Sequence, residues 1–349
     1  MDSKGIVLVT GGSGYIAGFC ILQLMREGWH VRATLRNLAR DAEVRAWLDA
    51  AASDPERLRF VSADLNGDAG WNEAVRGVSH VLHVASPIPT VNPHDDEELI
   101  APARDGTLRV LRVARDAGVK RVVVTSSTAA ICYGHGSREK PYTEAEWSDP
   151  KNLRDSSAYE RSKTYAEHAA WDFMKREGGA LEMTTINPGA VLGPVLGPDF
   201  SASIEIVRKL MDGSVPGCPR MGWPLVDARD IADLHIRAMT HADAAGQRFL
   251  GAGEFLWMAD IAKLLRERMP EIARRVPKRN IPDWMVRLTA IFDGTLRSRL
   301  FELGKKRAVD ASKAKRVLGW APRPAADTIT DCAQSLIAHK LVPAAAKGR

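Results

Sequence analysis

The sequence has few cysteines, and they are scattered. The four cysteines are Cys20, Cys132, Cys218 and Cys332. They form no CxxC pair, and no histidine lies at metal-ligand spacing from them. Disulfide scaffolds and structural zinc sites rely on cysteines in close, regular spacing. We therefore expect no metal site, no disulfide framework and a reducing compartment.

Long apolar runs and low-complexity tracts are also absent. No stretch approaches the ~20 apolar residues that span a bilayer. A strand is predicted within the opening MDSKGIVLVTGG, so we expect no signal peptide. With 45% hydrophobic and 26% charged residues, the composition is that of a globular protein. We expect a cytoplasmic protein with no membrane partner.

Basic charge is concentrated in the C-terminal quarter. From residue 261 onward there are 20 Lys and Arg against 8 Asp and Glu, although the whole chain carries only +6. These cations follow a helical period, which is typical of solvated helix faces. Since no nucleic-acid motif accompanies them, we expect no nucleic-acid partner.

Apolar strands and amphipathic helices alternate through the first 187 residues. A helical pattern follows the first strand and ends before Gly28. The strands are short, β-branched and nearly continuous in apolar residues, which is typical of parallel sheets covered on both faces. The predicted strands are 6–10, 29–35, 58–63, 80–84, 121–126 and 181–187, and the later helices are 69–76, 99–117 and 157–177. The pattern predicts an α/β fold with a doubly wound parallel sheet of the Rossmann type.

The pattern changes after Pro188. Residues 188–224 are rich in Gly and Pro, and the C-terminal segments are mostly helical and interrupted by prolines. We predict a nucleotide-binding domain of 1–187 plus about 225–250. A smaller, mostly helical substrate lobe is predicted from 188–224 and 251–349.

The first turn has the glycine spacing of a dinucleotide-binding loop. It reads TGGSGYIAG, in which Gly11 would form the tight exit from the strand and Gly14 would let the backbone approach a pyrophosphate. Ala17 would keep helix and strand close. The following helix would offer its N-terminal N–H groups to the phosphates.

The end of the second strand favours NADP(H) over NAD. An acidic residue there would grip the ribose hydroxyls, but this chain has Arg36 and no carboxylate before Asp41. An arginine suits a 2′-phosphate by charge and by bidentate hydrogen bonding. Asp64 and Leu65, after the third strand, are candidates for the adenine edge.

Three residues form a candidate catalytic set. Tyr159 and Lys163 are four residues apart on one predicted helix, so the phenol and the ammonium share a face. A nearby ammonium favours phenolate, which makes Tyr159 a credible proton donor or acceptor. Ser127 ends a valine-rich strand, at the sheet edge where ligands bind, and can donate to a carbonyl oxygen.

With these residues in place, the chain resembles an extended short-chain dehydrogenase/reductase of the NAD-dependent epimerase/dehydratase superfamily. More narrowly, it is similar to the branch of dihydroflavonol 4-reductases, cinnamoyl-CoA reductases and microbial aldehyde or methylglyoxal reductases. The resemblance covers nearly the whole chain. Its motifs are VTGGSGYIA at 9–17, VRATLRN at 31–37, ADL at 63–65, HVASP at 83–87, VVVTSS at 122–127, EWSDP at 146–150, YERSKTYAEHAAWDF at 159–173, NPGAVLGP at 187–194, LVDARDIAD at 225–233 and SKAKRVLGWAPR at 312–323.

The resemblance implies a Rossmann domain carrying NADP(H), a variable lobe for substrate and the trio Ser127, Tyr159 and Lys163. It also implies a larger set of residues around the cofactor. Those further residues are Tyr15, Ile16, Val84, Ala85, Ser86, Pro188, Val191 and Ser203. A homodimer through the long helices is a further family-level expectation.

Two departures from the family pattern matter. The stretch 103–107, ARDGT, lacks the asparagine that supports a proton relay in many relatives, so any relay would use water or Lys163. Cys132, followed by Tyr133, stands where dihydroflavonol reductases carry a substrate-gripping asparagine. A general carbonyl reductase is therefore favoured over a flavonoid enzyme.

The substrate pocket is predicted to be apolar or aromatic. The candidate residues lie on segments that should flank the nicotinamide, and they are Cys132, Tyr133, Phe200, Met211 and Trp223. Phe292 from the C-terminal lobe is a further candidate.

The sequence thus predicts an NADPH-dependent enzyme that reduces an aldehyde or ketone to an alcohol. A nucleotide-sugar epimerase or dehydratase and a 3β-hydroxysteroid dehydrogenase remain alternatives on the same scaffold. A non-catalytic, NADP-sensing binding module is a third class, but such modules tend to lose the tyrosine or lysine that this chain keeps.

Overall fold

The computed structural model describes residues 4–49, 54–87 and 95–342. The predicted domains also include the termini 1–3 and 343–349 and the segments 50–53 and 88–94, which lie outside the described residues. Within the described ranges, strands and helices alternate as the sequence pattern predicts.

The strands are short and mostly apolar, and most of their residues are buried by what packs against them. In chain order they are β1 Ile6–Val9, β2 His30–Leu35, β3 Leu58–Ser62, β4 His80–His83, β5 Arg121–Thr125, β6 Glu182–Pro188, β7 Ala190–Leu192, β8 Cys218–Pro219, β9 Gly222–Asp227, β10 Arg248–Gly251, β11 Phe255–Trp257 and β12 Asn280–Ile281.

The helices are amphipathic and connect these strands. In chain order they are α1 Tyr15–Arg26, α2 Asp41–Asp49, α3 Trp71–Val75, α4 Glu97–Asp116, α5 Ala158–Glu177, α6 Ile204–Asp212, α7 Ala228–Thr240, α8 Met258–Arg268, α9 Asp283–Thr289, α10 Gly294–Arg297, α11 Ser312–Leu318 and α12 Ala325–Ala338. None of the helices in the described ranges is both long and apolar enough to cross a bilayer.

Seven parallel strands form the central sheet, in the order β3–β2–β1–β4–β5–β6–β10. The chain runs outward from β1 to β3 and then returns to place β4 on the other side of β1. This reversal leaves a crevice at the carboxyl ends of β1 and β4, where open α/β sheets bind their ligands. The fold is a doubly wound, Rossmann-type sheet, as predicted.

Alternate residues of the inner strands enter two separate cores. In β1, Val7 and Val9 pack in the core beneath α1 and α7, whereas Leu8 packs in the core beneath α4 and α5. In β5, Val123 points to the first core, and Val122 and Val124 point to the second. Because both faces are covered, these strands contain almost only apolar residues.

A smaller lobe follows the large sheet. It contains a three-stranded sheet, ordered β11–β9–β7, and the pair β8–β12. Helix α12 packs against α6 and α8 and buries one face of its own. Helix α7 packs against β5 of the large sheet and also against β9 of the small one. Since α7 joins the two units so closely, the predicted domain boundaries stay a prediction.

Candidate active site

Helix α5 holds the tyrosine and the lysine one turn apart. Its start is fixed by a capping box, in which the Ser157 side chain accepts a backbone N–H and Glu160 accepts from the Ser157 N–H at 2.8 Å. The Lys163 Nζ atom lies 5.9 Å from the centre of the Tyr159 ring. Phenol and ammonium therefore share one face, at the carboxyl edge of the sheet.

Ser127 joins this pair from the end of β5. Its hydroxyl neighbours the Tyr159 phenol and acts to lower that group's pKa, and it accepts the Ala129 N–H at 3.1 Å. The Asn187 side-chain amide donates to the Ser127 carbonyl at 3.0 Å and fixes the backbone from the neighbouring strand. The structure thus brings the three predicted residues together.

Burial shifts the ionisation of both groups on α5. It raises the pKa of Tyr159 above its ordinary value, and the hydrogen bond from Ser127 opposes that rise. Burial also lowers the pKa of Lys163 to about 8, against the attraction of the Glu167 carboxylate. At neutral pH the phenol keeps its proton and the lysine stays largely charged, which is the state required of a proton donor with a cation beside it.

A buried carboxylate lies beneath the trio. Glu167, one turn after Lys163, is 1% exposed and accepts from Arg248 at 2.7 Å. It also accepts from Ser126 at 2.5 Å and from Asn187 at 2.7 Å. These bonds hold its pKa below the ordinary value despite burial. Glu167 therefore ties α5 to the ends of β5, β6 and β10.

The glycine loop has the shape needed to receive a phosphate. Gly11 has φ +70°, and a Cβ there would lie 3.0 Å from the Cβ of Ala85, so only glycine fits this exit from β1. Gly14 precedes α1, which has no side-chain cap and no acidic residue in its first turn. The free N–H groups of that turn are thus available to an anion.

The first residues of α1 occupy different surroundings. Ala17 is fully buried, Ile16 is partly buried, and the Tyr15 phenol lies in the core without a hydrogen-bond partner among the described residues. Burial raises the Tyr15 pKa well above its ordinary value, as do nearby Cys332 and Asp227. Any contact of Tyr15 with a phosphate must therefore come from its backbone N–H.

Arg36 follows β2 directly and is exposed. No ion pair of Arg36 occurs within the described ranges, whereas Arg40 pairs with Asp199 at 2.7 Å and Glu43 at 2.8 Å. Of these two arginines, Arg36 is the one whose guanidinium is available to a 2′-phosphate. Asp64, after β3, accepts the Asn66 N–H at 2.9 Å in a turn, and Leu65 packs beside α4 at Gly106.

The loop after β4 links the glycine loop to Lys163. Thr10 accepts the Ala85 N–H at 3.0 Å and is hydrogen-bonded to His83 at 2.9 Å. Ser86 accepts from the Lys163 ammonium at 2.9 Å. Val84 and Ala85, both partly buried, lie between these contacts.

The residues predicted after β6 border the same edge. Pro188 ends β6, and Val191 in β7 accepts from Ser201 at 3.1 Å. Ser203 precedes α6 and makes no side-chain cap bond. Phe200 is partly buried and packs against the large core, as does buried Met211.

A small cleft opens beside the trio. Its walls are formed by side chains from β5–α5, β7–β9 and the C-terminal lobe, among them Thr128, Cys132, Tyr133, Ala190, Trp223 and Arg307. Three of the predicted substrate residues thus meet in one place, while Phe200 and Met211 are not among the lining residues. Phe292 is 86% exposed, so its predicted place in the pocket is wrong in this structure.

Several buried polar residues of this region were not predicted from the sequence. Glu167 repeats the four-residue spacing of Tyr159 and Lys163, and that spacing could have pointed to it. Arg307 lines the cleft and Glu302 bonds to Tyr133, although both lie about 170 residues further along the chain than Tyr133. No local pattern links them.

Comparison with known proteins places these features in context. The model of the NAD dependent epimerase/dehydratase family matches residues 7–250. Cinnamoyl-CoA reductase CAD2 of Medicago truncatula is 35% identical over 277 residues, 76% of this chain and 82% of that protein. Dihydroflavonol 4-reductase of Zea mays is 31% identical over 285 residues, 79% of this chain and 78% of that protein.

Solved structures agree over nearly the full length. The yeast methylglyoxal/isovaleraldehyde reductase Gre2, complexed with NADPH, superposes with a TM-score of 0.78 at 25% identity. The match covers 96% of this chain and 99% of that one. Vestitone reductase from alfalfa (Medicago sativa) has a TM-score of 0.76 at 23% identity, which supports the fold alone.

Proposed function

Because the chain belongs to the NAD dependent epimerase/dehydratase family of enzymes, we propose that it is an NADPH-dependent reductase of aldehydes or ketones. The observation that carries the proposal is the grouping of Ser127, Tyr159 and Lys163, in which the Ser127 hydroxyl neighbours the phenol and the Lys163 ammonium lies 5.9 Å from the centre of its ring. The relatives with reductase names and the NADPH complex of Gre2 support the same reaction class.

The residues at the sheet edge fit a dinucleotide phosphate. Gly11 makes a tight exit from β1 beside Ala85, Gly14 follows with its own Cβ position 3.1 Å from the Gly11 carbonyl oxygen, and α1 offers an uncapped N-terminus to an anion. Arg36 supplies an available cation for a 2′-phosphate, and the Lys163 ammonium already holds a hydroxyl, that of Ser86. Bound NADPH would supply the hydride.

The proton in this proposal comes from Tyr159. As the carbonyl oxygen gains electrons, the phenol transfers its proton to that oxygen, and Ser127 donates a hydrogen bond to it. The phenolate left on Tyr159 is stabilised by the Lys163 ammonium. Oxidation of an alcohol would use the same groups in reverse.

The proposal is tested by removing the phenolic hydroxyl. Tyr159→Phe keeps the ring but not the proton, so we expect kcat for NADPH-dependent reduction to fall by about 10²–10⁴-fold, the usual contribution of a general acid. Fluorescence titration should give an NADPH Kd within about twofold of wild type, since no phosphate contact is lost. Tyr165→Phe, on the exposed side of the same helix, is the matched control and should leave kcat unchanged. Undiminished kcat in Tyr159→Phe would refute the mechanism.

A further inference from the structure

The cleft beside the trio contains a buried cation. The Arg307 side chain is 3% exposed and belongs to the wall that also includes Tyr133 and Trp223. Tyr159 packs against the cluster that contains Tyr133, so this wall borders the place where a carbonyl would bind. An unpaired arginine here would attract anionic substrates.

Two carboxylates, those of Glu302 and Asp155, instead neutralise the charge of Arg307. Its Nη1 atom donates to Glu302 at 2.7 Å, its Nη2 atom donates to Asp155 at 2.6 Å, and its Nε atom donates to the Cys132 carbonyl at 3.2 Å. Both carboxylates are nearly fully buried. All three donor nitrogens of the guanidinium are therefore used within the protein.

Tyr133 completes this arrangement. Its hydroxyl donates to Glu302 at 2.9 Å, and the centre of its ring lies 4.2 Å from the Arg307 guanidinium carbon. The hydroxyl is thereby turned toward the ion pair, so Tyr133 contributes its ring to the cleft.

With Glu302 ionised, the wall carries no net charge. Lys305 pairs with Asp155, which also accepts the Gly134 N–H at 2.9 Å, so this second cation is balanced as well. The two cations Arg307 and Lys305 thus face the two anions Glu302 and Asp155. What remains toward the cleft is apolar or aromatic surface, including the partly buried Trp223.

We propose that this site selects uncharged carbonyl compounds with an apolar or aromatic body, and that Glu302 determines this selectivity by neutralising Arg307. The inference rests on the proposed reductase function and specifies its substrate class. Removing the Glu302 charge would leave one positive charge beside the carbonyl site and favour carboxylate-bearing substrates.

The pH dependence supports a test within the wild-type protein. Burial raises the pKa of Glu302 to about 7, with Arg307 opposing and Glu160 adding to the rise, and Tyr133 and Arg299 also lie within its field. Glu302 is thus ionised well above pH 7 and protonated well below it. Selectivity for uncharged substrates should weaken as the pH falls through this value.

The experiment compares two aldehydes of nearly the same shape, p-nitrobenzaldehyde and p-formylbenzoate. Their kcat/KM ratio is measured with NADPH at about pH 8.5 for wild type, Glu302→Gln and the exposed control Glu271→Gln. Glu302→Gln should shift the ratio on the order of tenfold toward p-formylbenzoate, as expected for one unit charge a few ångströms away. The control should match wild type. Effects of a substitution on folding or on proton transfer change kcat/KM for both aldehydes alike. They therefore cancel in the ratio, which reports selectivity alone.

A second measurement needs no variant. In wild type the ratio should shift in the same direction between about pH 8.5 and about pH 6, and by more than in Glu302→Gln, in which Lys163 still titrates in this range. No effect of Glu302→Gln on the ratio at about pH 8.5, together with equal pH shifts in the two proteins, would overturn the assignment of Glu302 and leave the reductase function intact. If neither aldehyde were reduced, the proposed function itself would fail for aromatic aldehydes, and this inference with it.

Discussion

Arg36 and Arg40 carry the same charge near the end of β2, but their surroundings give them different roles. Arg36 is exposed and has no ion pair within the described ranges, whereas Arg40 bridges Glu43 and Asp199. An arginine already held by two carboxylates has little charge to offer a phosphate. The cofactor preference should therefore depend on Arg36.

Arg36→Ala should lower kcat/KM for NADPH by roughly ten- to a hundredfold, since a charge-assisted hydrogen bond contributes about 1.5–3 kcal/mol. The value for NADH, which lacks the 2′-phosphate, should change less than about twofold. Steady-state kinetics with both cofactors measure the effect, and Arg40→Ala is the comparison, with a smaller expected loss. Equal losses for NADPH and NADH would show that Arg36 does not read the phosphate.

Single residues were predicted well where their spacing carries the information. Tyr159 and Lys163 share a helix face by their four-residue separation alone, and Ser127 lies at the end of an apolar strand. The role of Glu302 could not be predicted in this way, because it depends on contacts with Arg307 and with Tyr133, which is 169 residues away from Glu302. The predicted place of Phe292 in the pocket was wrong, because its apolar side chain lies in the turn between α9 and α10 and the sequence does not show which way such a turn points.

At the scale of elements, Glu167 holds α5 to the sheet. It accepts hydrogen bonds from residues on three neighbouring strands or their ends, namely Ser126, Thr185, Asn187 and Arg248. Arg248 is itself largely buried, so the two charges depend on each other. Removing one would leave the other unpaired in the interior.

Glu167→Gln should lower the free energy of unfolding by about 3–5 kcal/mol, because it leaves the buried Arg248 without its counter-ion. Denaturant unfolding at neutral pH measures the loss. Glu177→Gln on the exposed end of the same helix should change stability by less than about 0.5 kcal/mol.

Two further results check this explanation. Adding Arg248→Met to Glu167→Gln should recover part of the lost stability, since no unpaired charge then remains. The pKa of Glu167 lies below its ordinary value of 4.5, so its contribution is complete above that pH and is lost as the pH falls further. The difference in the free energy of unfolding between wild type and Glu167→Gln should therefore become smaller in acid. A stability equal to wild type at neutral pH would contradict the role of Glu167.

Elements were predicted from the sequence where they are apolar on a clear period. The first six strands of the chain agree with their predicted ranges to within one residue at each end. Strand β10 was given no range of its own and lies at the end of the segment of about 225–250 that was assigned to the nucleotide-binding domain. Helix α2 was not predicted, because Asp41–Asp49 is short and rich in charge and presents only a narrow apolar face. The short strands β8 and β12 were missed because two residues carry no periodicity.

At the scale of the whole molecule, the fold gathers distant segments at one sheet edge. The glycine loop, Arg36, the loop after β4, the trio and the C-terminal cleft all meet at the carboxyl ends of the strands. The alternation of strands and helices predicts this gathering, since parallel strands place their ends together. The contribution of the C-terminal lobe to the cleft could not be predicted from the sequence and is seen only in the structure. A homodimer through α4 and α5 stays a prediction, which light scattering of the purified protein can test.

The central claim is that the protein transfers a hydride from NADPH to a carbonyl carbon while Tyr159 supplies the proton. The most direct measurement uses NADPH deuterated at the transferable position, with p-nitrobenzaldehyde, and locates the label by mass spectrometry and NMR. The account predicts one deuterium on the carbinol carbon of the product alcohol for each NADPH consumed. Absence of any alcohol, together with NAD⁺ retained tightly through purification, would contradict it and favour an epimerase or dehydratase.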